Sequence, residues 1–330
     1  MADDSLQAEV QAELEKLYVV LRELPRGGMS RVFVATEKAL RRQVVIKVLA
    51  PELAASLSAE RFKREIALAA RLQHPHIVPL LSSGVAGSHL YYTMPFVEGE
   101  SLRERMNRER PMQLADITTI LQQLSLALAY AHEEGVVHRD IKPENVMFFH
   151  GEAVVLDFGI GKAMLSATSS ETEILRITQV GVSLGTPTYV APEQAAADPA
   201  LDHRADLYAL GVVAYEMICG HPPFAGRSAQ VVIAAHAKQK PQPISERRPD
   251  VPKRLDAIVT RMLEKRPEDR PRTGTEVHAA LSESTSTARS TPAGKAMARL
   301  AGTSVWLPWA IAGLATLLAI LMTVLYFSRG

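Results

Sequence analysis

The sequence predicts an α+β protein with two lobes, a small β-rich lobe and a larger helical lobe, followed by one transmembrane helix. Between Tyr18 and about Leu102, β-rich runs such as VVIKVL surround a single helical stretch, RFKREIALAARL. From Leu114 to about Leu281 the apolar residues recur mainly at helical spacing. No residue from Leu300 to Ser328 is charged, which indicates the membrane span.

The composition is that of a folded protein from a reducing compartment. Hydrophobic residues make up 47% of the 330 residues and charged residues 22%, which excludes disorder throughout and collagen-like sequence. The 37 basic and 36 acidic side chains leave a formal charge of +1, so we expect no nucleic-acid partner. The single cysteine, Cys219, cannot form an internal disulfide, as is usual for cytoplasmic domains.

The apolar stretch 305–327 predicts the position of the membrane span. As a helix it would extend roughly 34 Å, enough for the hydrocarbon core of a bilayer. Trp306, Trp309 and Tyr326 stand near its two ends, where aromatic rings prefer the membrane interfaces. A buried core helix is the alternative. More basic residues precede the span than follow it, which predicts that the preceding region is cytoplasmic.

The same patterns give the boundaries of the regions. Leu6, Val10, Leu14 and Leu17 recur at helical spacing and predict a helical extension that packs on the main domain. The Ser/Thr-rich residues after the main domain predict a flexible linker. The predicted regions are 1–17 for the extension, 18–97 and 98–281 for the small and large lobes of the main domain, 282–304 for the linker, 305–327 for the span and 328–330 for an extracytoplasmic tail.

Two charged residues of the small lobe fall on apolar surfaces. In the strand VVIKVL, alternation places Lys47 on the same face as Val45 and Leu49. In the helix that follows, Glu65 falls in the middle of an apolar stripe. Because a charge on a buried surface needs a partner, we expect Lys47 and Glu65 to pair, which would hold the lysine ready for a phosphate. Two surface charges with buried stems are the alternative.

Two polar segments of the large lobe carry candidate catalytic groups. The segment VVHRDIKPENVMFF, residues 136–149, places polar side chains between apolar runs, and its proline forbids a regular helix. In VVLDFGIGK, Asp157 ends an apolar strand. Asn145 and Asp157 offer oxygen ligands of the kind that magnesium accepts. Asp140 can take a proton from a hydroxyl group, and Lys142 can neutralise a phosphoryl group.

These motifs resemble those of the eukaryotic-type (Hanks-type) bacterial serine/threonine protein kinases over roughly residues 18–281. VVIK, HRDIKPEN, DFG, GTPTYVAPEQ and RPEDRP occur in the order and at the spacing of that family. The resemblance implies the two-lobed kinase fold and a non-specific serine/threonine protein kinase that transfers the γ-phosphoryl group of ATP to cytoplasmic proteins. It also implies magnesium, with manganese as a substitute. The implied partners are ATP and protein substrates. The apolar stretch 305–327 adds the membrane as a partner, and homodimerisation is left open.

The resemblance further implies a role for each catalytic motif. Lys47 would hold the α and β phosphates of ATP and pair with Glu65. Asp140 would orient the substrate hydroxyl and accept its proton, and Lys142 would contact the γ phosphate. The residues that would hold magnesium are Asn145 and Asp157. Three further residues would have structural roles. Glu193 and Arg270 would form a buried ion pair, and Asp206 would brace the catalytic loop.

The nucleotide site implied by the resemblance departs from the family in one place. Pro25 and Ser30 replace the first and third glycines of the family's GxGxxG loop, and only the middle one, Gly27, remains. Pro25 removes a backbone donor and Ser30 adds a side chain near the phosphates, so we expect weakened ATP binding. The nucleotide-site residues by this match, besides Lys47 and Glu65, are Leu24, Gly27, Gly28, Val32, Val45, Met94, Pro95, Val97 and Met147.

Arg139, which directly precedes Asp140, predicts regulation by phosphorylation. An arginine at this position needs an anionic partner, and a phosphorylated hydroxyl of the segment 157–193 would supply one. Thr178 stands eight residues before Thr186, a spacing that resembles an autophosphorylation site of bacterial relatives. A phosphate adds about 1.5 to 2 negative charges and can order such a loop. A flexible stretch without a specific site is the alternative.

The sequence as a whole predicts a kinase that is anchored by a single span in the cell membrane, by family resemblance the bacterial inner membrane, with its catalytic domain in the cytoplasm. A membrane-tethered pseudokinase scaffold with weakened ATP binding is the alternative. The altered glycine loop favours the scaffold, whereas the intact catalytic motifs oppose it. A small-molecule phosphotransferase is a third hypothesis. The segments HRDIKPEN and APEQ oppose it, because by the resemblance they build a peptide-docking surface.

Overall fold

The computed structural model describes residues 2–24, 30–49, 59–158 and 187–288. Residues up to Ser282 form one unit of the chain. Within this unit the N-terminal part is a β-rich lobe and the C-terminal part is helical, so the predicted two-lobed fold is confirmed.

The small lobe is built on a five-stranded antiparallel sheet in the order β1-β2-β3-β5-β4. Side chains of its central strand alternate between two apolar clusters. Val45 and Leu49 belong to the inner cluster, while Val44 and Ile46 belong to the outer cluster. Lys47 therefore points to the inner side, as the alternation predicts. The strands are β1 (Tyr18–Glu23), β2 (Ser30–Glu37), β3 (Arg42–Leu49), β4 (Ser82–Ala86) and β5 (His89–Pro95).

Helix α1 (Ala2–Leu14) covers the outer face of this sheet. Val10 and Leu14 are buried in the outer cluster, but Leu17 is 54% exposed. The predicted stripe is therefore wrong at its last member. The helix ends at Leu14, and the carbonyl of Leu17 accepts a hydrogen bond from the amide of Lys38 at 2.9 Å, which places Leu17 in the turn that leads into the sheet.

Helix α2 (Ala59–Ala69) covers the inner face of the sheet. Phe62, Ile66 and Ala69 are buried in the inner cluster, at the spacing of one helical face. Glu65 stands next to this face and is half-buried. The helix thus brings a carboxylate to the side of the sheet on which Lys47 lies.

The chain crosses from the small lobe to the large lobe after β5. Gly99 lies on this crossing with φ 155°, and a Cβ atom there would lie 2.2 Å from the carbonyl oxygen of Phe148. Only glycine fits such a close approach. The amide of Phe148 donates to the carbonyl of Glu100 at 2.9 Å, which fastens the crossing to the large lobe.

The large lobe is organised around one buried helix, α6 (Arg204–Cys219), whose residues from Ala205 to Ile218 are all buried. A helix that is apolar on every side belongs in a core. It ends at Gly220, which adopts a left-handed cap with φ 80°. The other elements are α3 (Leu102–Arg108), α4 (Leu114–Glu133), β6 (Val146–Phe149), β7 (Glu152–Val155), α5 (Pro192–Ala195), α7 (Ala229–Lys238), α8 (Ile244–Arg247), α9 (Lys253–Met262) and α10 (Gly274–Ala288).

Candidate active site

The loop 138–145, between α4 and β6, is held by one buried carboxylate. Asp206 of α6 accepts the backbone N–H groups of His138 at 2.8 Å and Arg139 at 2.7 Å. Arg139 has φ 66°, a left-handed conformation that a residue other than glycine keeps only where its surroundings hold it. The loop presents the next side chain, Asp140, outward with 48% exposure.

Asp206 is in turn fixed by His132 of α4. Nε2 of His132 lies 2.8 Å from the Asp206 carboxylate, and both side chains are buried. Burial raises the pKa of Asp206, but the interactions with His132, with His138 and with the backbone N–H of Arg139 together hold that pKa below its ordinary value. The carboxylate therefore stays ionised while it accepts the two backbone groups of the loop.

Asp140, Lys142 and Asn145 meet within the loop. Nζ of Lys142 donates to the Asp140 carboxylate at 2.7 Å. Nδ2 of Asn145 donates to the carbonyl oxygen of Asp140 at 2.8 Å and to its carboxylate at 3.0 Å. Because the amide nitrogen of Asn145 is turned toward Asp140, its amide oxygen is the atom that can bind a cation.

Asp157 follows β7 and receives two donors from the small lobe. Lys47 of β3 forms an ion pair with it, and the Tyr92 hydroxyl of β5 donates to its Oδ1 at 2.9 Å. Burial raises the pKa of Asp157, but the charge and hydrogen bond of Lys47, together with the bond from Tyr92, hold the pKa below its ordinary value. The two lobes meet at this ionised carboxylate.

Glu65 lies close enough to Arg139 for its charge to act on the guanidinium group. Burial lowers the pKa of Arg139, whereas the charges of Asp206 and Glu65 raise it. Lys47 forms an ion pair with Asp157. The predicted pair between Lys47 and Glu65 stays a prediction.

The apolar residues expected to enclose adenine come together between the lobes. Val45 and Met94 are buried in the inner cluster, and Val32, Val97 and Met147 pack against it partly buried. Met147 comes from β6 of the large lobe and the others from the small lobe or the crossing. This cluster is an apolar surface of the kind on which a flat aromatic ring binds.

The remaining predicted nucleotide residues have different placements. Leu24 lies beside Val32, to whose carbonyl its amide donates at 2.8 Å, and Pro95 is the last residue of β5. Ser30, the departure from the family's third glycine, is the first residue of β2. The predicted positions that lie outside the described residues are Pro25, Gly27, Gly28 and Thr178.

A fully satisfied ion pair lies beneath the site in the large lobe. The guanidinium group of Arg270 donates to both carboxylate oxygens of Glu193, at 2.6 and 2.8 Å. It also donates to the carbonyl oxygens of Glu264, Lys265 and Arg204. The side chains of Arg270 and Glu193 are 0% and 7% exposed. The buried ion pair predicted between them is confirmed.

A second arginine joins the loop to the segment that follows residue 186. Nε of Arg103 on α3 donates to Glu144 at 2.8 Å, and Nη1 donates to the buried Glu216 of α6 at 2.7 Å. The hydroxyl of Tyr189 hydrogen-bonds to both Arg103 and Glu216. Neighbouring carboxylates raise the pKa of Arg103 further, against the effect of burial. This network joins the loop 138–145 to Tyr189 and to the buried helix α6.

The sequence alone does not single out Tyr92, His132 and Arg103 as residues of the site. Tyr92 reads as one of two adjacent tyrosines in a buried strand, and His132 as a residue near the end of a helix. Arg103 lies in the run RERMNRER, where it is indistinguishable from a solvated charge. The one available signal was the alternation of β5, which would have placed Tyr92 and Tyr91 on opposite faces.

The residues present fit a magnesium ion that is held in part by phosphates. Within the described parts of the chain, no group of three or more His, Cys, Asp or Glu side chains is arranged to hold a metal by itself. Magnesium bound with nucleotides commonly takes only one or two protein ligands and completes its shell with phosphate oxygens and water. The carboxylate of Asp157 and the amide oxygen of Asn145 are hard ligands of the required kind.

The fold thus joins a β-rich lobe and a helical lobe at the contact between Lys47 and Asp157. Residues 18–282 match the protein kinase domain family, and the chain belongs to that family. The predicted resemblance to the bacterial Hanks-type kinases is confirmed by the curated proteins that it matches.

The relatives are bacterial serine/threonine-protein kinases. The chain is 40% identical over 261 residues to PknB of Mycobacterium leprae, which covers 77% of this chain and 41% of that protein. PknB of Mycolicibacterium smegmatis is 39% identical with the same coverage. Pkn2 of Myxococcus xanthus is 38% identical over 275 residues, or 81% of this chain and 32% of its own length. The chain therefore spans less than half the length of these relatives.

The structure leaves the predicted membrane span open. None of the helices in the described ranges combines the length and the hydrophobicity needed to cross a bilayer. The predicted span 305–327 falls outside those ranges.

Proposed function

We propose that the chain is a serine/threonine protein kinase that transfers the γ-phosphoryl group of ATP to serine or threonine residues of cytoplasmic proteins. One observation carries the proposal. The carboxylate of Asp140 is half-exposed, lies 2.7 Å from the amine of Lys142, and stands on a loop whose backbone Asp206 fixes. Such a group can meet a hydroxyl presented from solvent by another protein.

In the proposed reaction, the hydroxyl oxygen of the substrate forms a bond to the γ-phosphorus of ATP. The bond between that phosphorus and the oxygen that bridges to the β-phosphate breaks, and ADP leaves with the electron pair. The Asp140 carboxylate accepts the hydroxyl proton, and Lys142 offsets negative charge on the transferred group. The chain contributes mainly position and electrostatic stabilisation.

We propose magnesium as the accompanying metal, with manganese as a substitute. Asp157 and Asn145 would hold it, and when bound it supplies neutralisation of phosphate charge. Lys47 lies against Asp157, so a small movement of its flexible side chain would carry the amine to a phosphate. The ion pair thus keeps the amine of Lys47 close to where the phosphates would lie.

The alternatives fit these contacts less well. A pseudokinase scaffold needs neither an outward Asp140 nor an ionised Asp157 that Lys47 and Tyr92 hold between the lobes. The network of Arg103, Glu144 and Tyr189 joins the catalytic loop to the segment after residue 186. A surface joined in this way favours an extended peptide over a small molecule as the acceptor of the phosphoryl group.

We propose in addition that the protein is anchored in the bacterial inner membrane through residues 305–327, with the kinase domain in the cytoplasm. The support is the uncharged apolar sequence of that stretch and the excess of basic residues before it.

Autophosphorylation at Thr178 would regulate the enzyme. Arg139 supports this because it precedes Asp140 and is half-buried, and its Nε atom is buried without a hydrogen-bond partner among the described residues. A phosphate brought to this guanidinium group would supply the missing acceptor.

The proposed function is tested with the full-length protein, ATP labelled on its γ-phosphate, magnesium and a generic protein substrate. Label should appear on serine and threonine. Asp140→Asn should lower the rate by about 10² to 10⁴-fold, because the proton acceptor is lost while the shape is kept. Asp250→Asn, at a side chain that is 67% exposed, is the matched control and should leave the rate unchanged. Equal rates for wild type and Asp140→Asn would show that the assignment is wrong.

A further inference from the structure

Tyr92 donates a hydrogen bond to Asp157, and the sheet fixes the position of Tyr92. Tyr92 lies on β5 directly opposite Lys47 on β3, in the register Lys47 to Tyr92. Its side chain is 2% exposed and packs in the inner cluster, and its hydroxyl donates to Oδ1 of Asp157 at 2.9 Å. Two neighbouring strands of one sheet thus point one donor each at the two oxygens of a single carboxylate.

The two donors differ in how firmly they are placed. Lys47 has a flexible four-carbon stem, and under the proposed function a nucleotide phosphate would compete with Asp157 for its amine. The phenol of Tyr92 is rigid and has only two side-chain torsions, both constrained by burial. When Lys47 turns to a phosphate, Tyr92 is the described side chain that still holds Asp157.

The backbone around Asp157 is fixed separately from its side chain. His138 contacts the carbonyl oxygen of Leu156 at 2.7 Å, and the ring of Phe158 packs edge-on against His138 at 4.7 Å. Asp157 itself has φ 66°, a conformation that costs free energy for a residue with a side chain. These contacts set where the residue lies, but the direction of its carboxylate depends on Lys47 and Tyr92.

We propose that Tyr92 is a positioning residue that orients the Asp157 carboxylate toward the metal ion that accompanies the nucleotide. A carboxylate oxygen has more than one lone pair, so Oδ1 can accept the phenol and still face a cation. Hydrogen bonds to a metal-binding carboxylate typically change metal affinity by about 10- to 100-fold when they are removed. The proposal rests on the proposed function, since it takes Asp157 as a ligand of that metal.

The test uses the full-length protein and the substitution Tyr92→Phe, which removes only the hydroxyl and keeps the ring that fills the core. Binding of a fluorescent ADP analogue is measured with magnesium and with a chelator in its place. The ratio of the two dissociation constants gives the magnesium-dependent gain. We expect this gain to fall about tenfold in Tyr92→Phe, while binding in the chelator is unchanged.

Tyr91→Phe is the matched control. Tyr91 is the preceding residue of the same strand, is 6% exposed, and packs in the outer cluster on the opposite face of the sheet. It carries the same substitution away from Asp157, and we expect its magnesium-dependent gain to equal that of wild type.

Two results would overturn the proposal. One is a wild-type magnesium-dependent gain in Tyr92→Phe. The other is equal weakening with and without magnesium, which would make Tyr92 a packing residue of the nucleotide site. The proposed function is judged separately by phosphate transfer. A wild-type protein that binds ADP with magnesium but phosphorylates no protein would contradict the kinase activity and leave the role of Tyr92 decided by the binding ratio.

Discussion

Two ion pairs of this protein each join a basic side chain to a carboxylate, but they differ in burial and in how the basic group binds its partner. Arg270 and Glu193 meet inside the large lobe with 0% and 7% side-chain exposure. Lys47 and Asp157 meet between the lobes with 14% exposure of each side chain. The first pair uses a planar fork with two parallel bonds, whereas the second uses a single amine on a flexible stem.

The difference shows which pair holds the structure and which can change partner. The Arg270 guanidinium group donates to Glu193 and to three backbone carbonyls, so its donors are occupied and any exchange would leave buried groups without partners. The Lys47 side chain keeps some exposure and pairs with a carboxylate that Tyr92 also supports. An incoming phosphate can replace one anion by another there at little cost.

The largest expected effect on stability comes from breaking the buried pair. Arg270→Met should lower the free energy of unfolding by about 3–5 kcal/mol, because it leaves the Glu193 carboxylate buried and uncompensated. Denaturant unfolding measures this. Arg266→Met is the matched control, because Arg266 is 73% exposed in its pair with Glu268, and it should leave the free energy of unfolding almost unchanged.

The double substitution Arg270→Met with Glu193→Leu sharpens the same test. Removing both charges should recover a large part of the lost stability, since no buried charge is left unpaired. A double variant that is as unstable as Arg270→Met alone would mean that the contacts of Arg270 with the backbone carbonyls, rather than the ion pair, hold the lobe.

The pair between the lobes should contribute less stability, and that contribution should depend on pH. Lys47→Met should cost roughly 1–3 kcal/mol near neutral pH. Since Lys47 holds the pKa of Asp157 below its ordinary value, the contribution is complete above about pH 4 and is lost as the pH falls through the lower folded value. The stabilities of wild type and Lys47→Met, compared at several pH values, should converge in acid. A constant difference down to the most acid pH would contradict the assigned pairing.

A further pH effect is expected above neutral pH at Lys265, which lies over the ring of Tyr208 next to Arg270. Burial and the charge of Arg270 lower the pKa of Lys265 to about 8. The unfolded chain therefore binds more protons than the folded protein between about pH 8 and its ordinary pKa of 10.5, and stability should rise with pH across that window. Lys265→Met should lack this rise in a comparison of unfolding curves. The same rise in both proteins would assign it to other groups.

The sequence predicts well those features that depend on a short-range period. Alternation in VVIKVL places Lys47 on the inner face, and the helical stripe of Phe62 and Ile66 gives the covering helix. The N-terminal helical stripe fails at Leu17, because Leu17 lies in a turn that accepts a hydrogen bond from Lys38, a residue that follows β2 in the sequence. Local spacing carries no information about such a partner.

The candidate site shows the same limit more strongly. The order of motifs indicates that Asp140, Asn145 and Asp157 belong to one site, and the structure brings Asp140 and Asn145 into contact. Which donors reach Asp157 depends on pairing between β3 and β5, which no single segment specifies. Likewise, the partner Glu216 lies 113 residues from Arg103 along the chain.

The most direct test of the account is the rate of phosphate transfer per folded molecule in Lys47→Met. Because Lys47 is proposed to hold the phosphates of ATP, the rate should fall by at least about 10²-fold while circular dichroism shows a folded domain at neutral pH. Lys253→Met, at an exposed lysine of α9, should keep the wild-type rate. A wild-type rate in Lys47→Met would contradict the account, because the ion pair between the lobes would then serve only the structure.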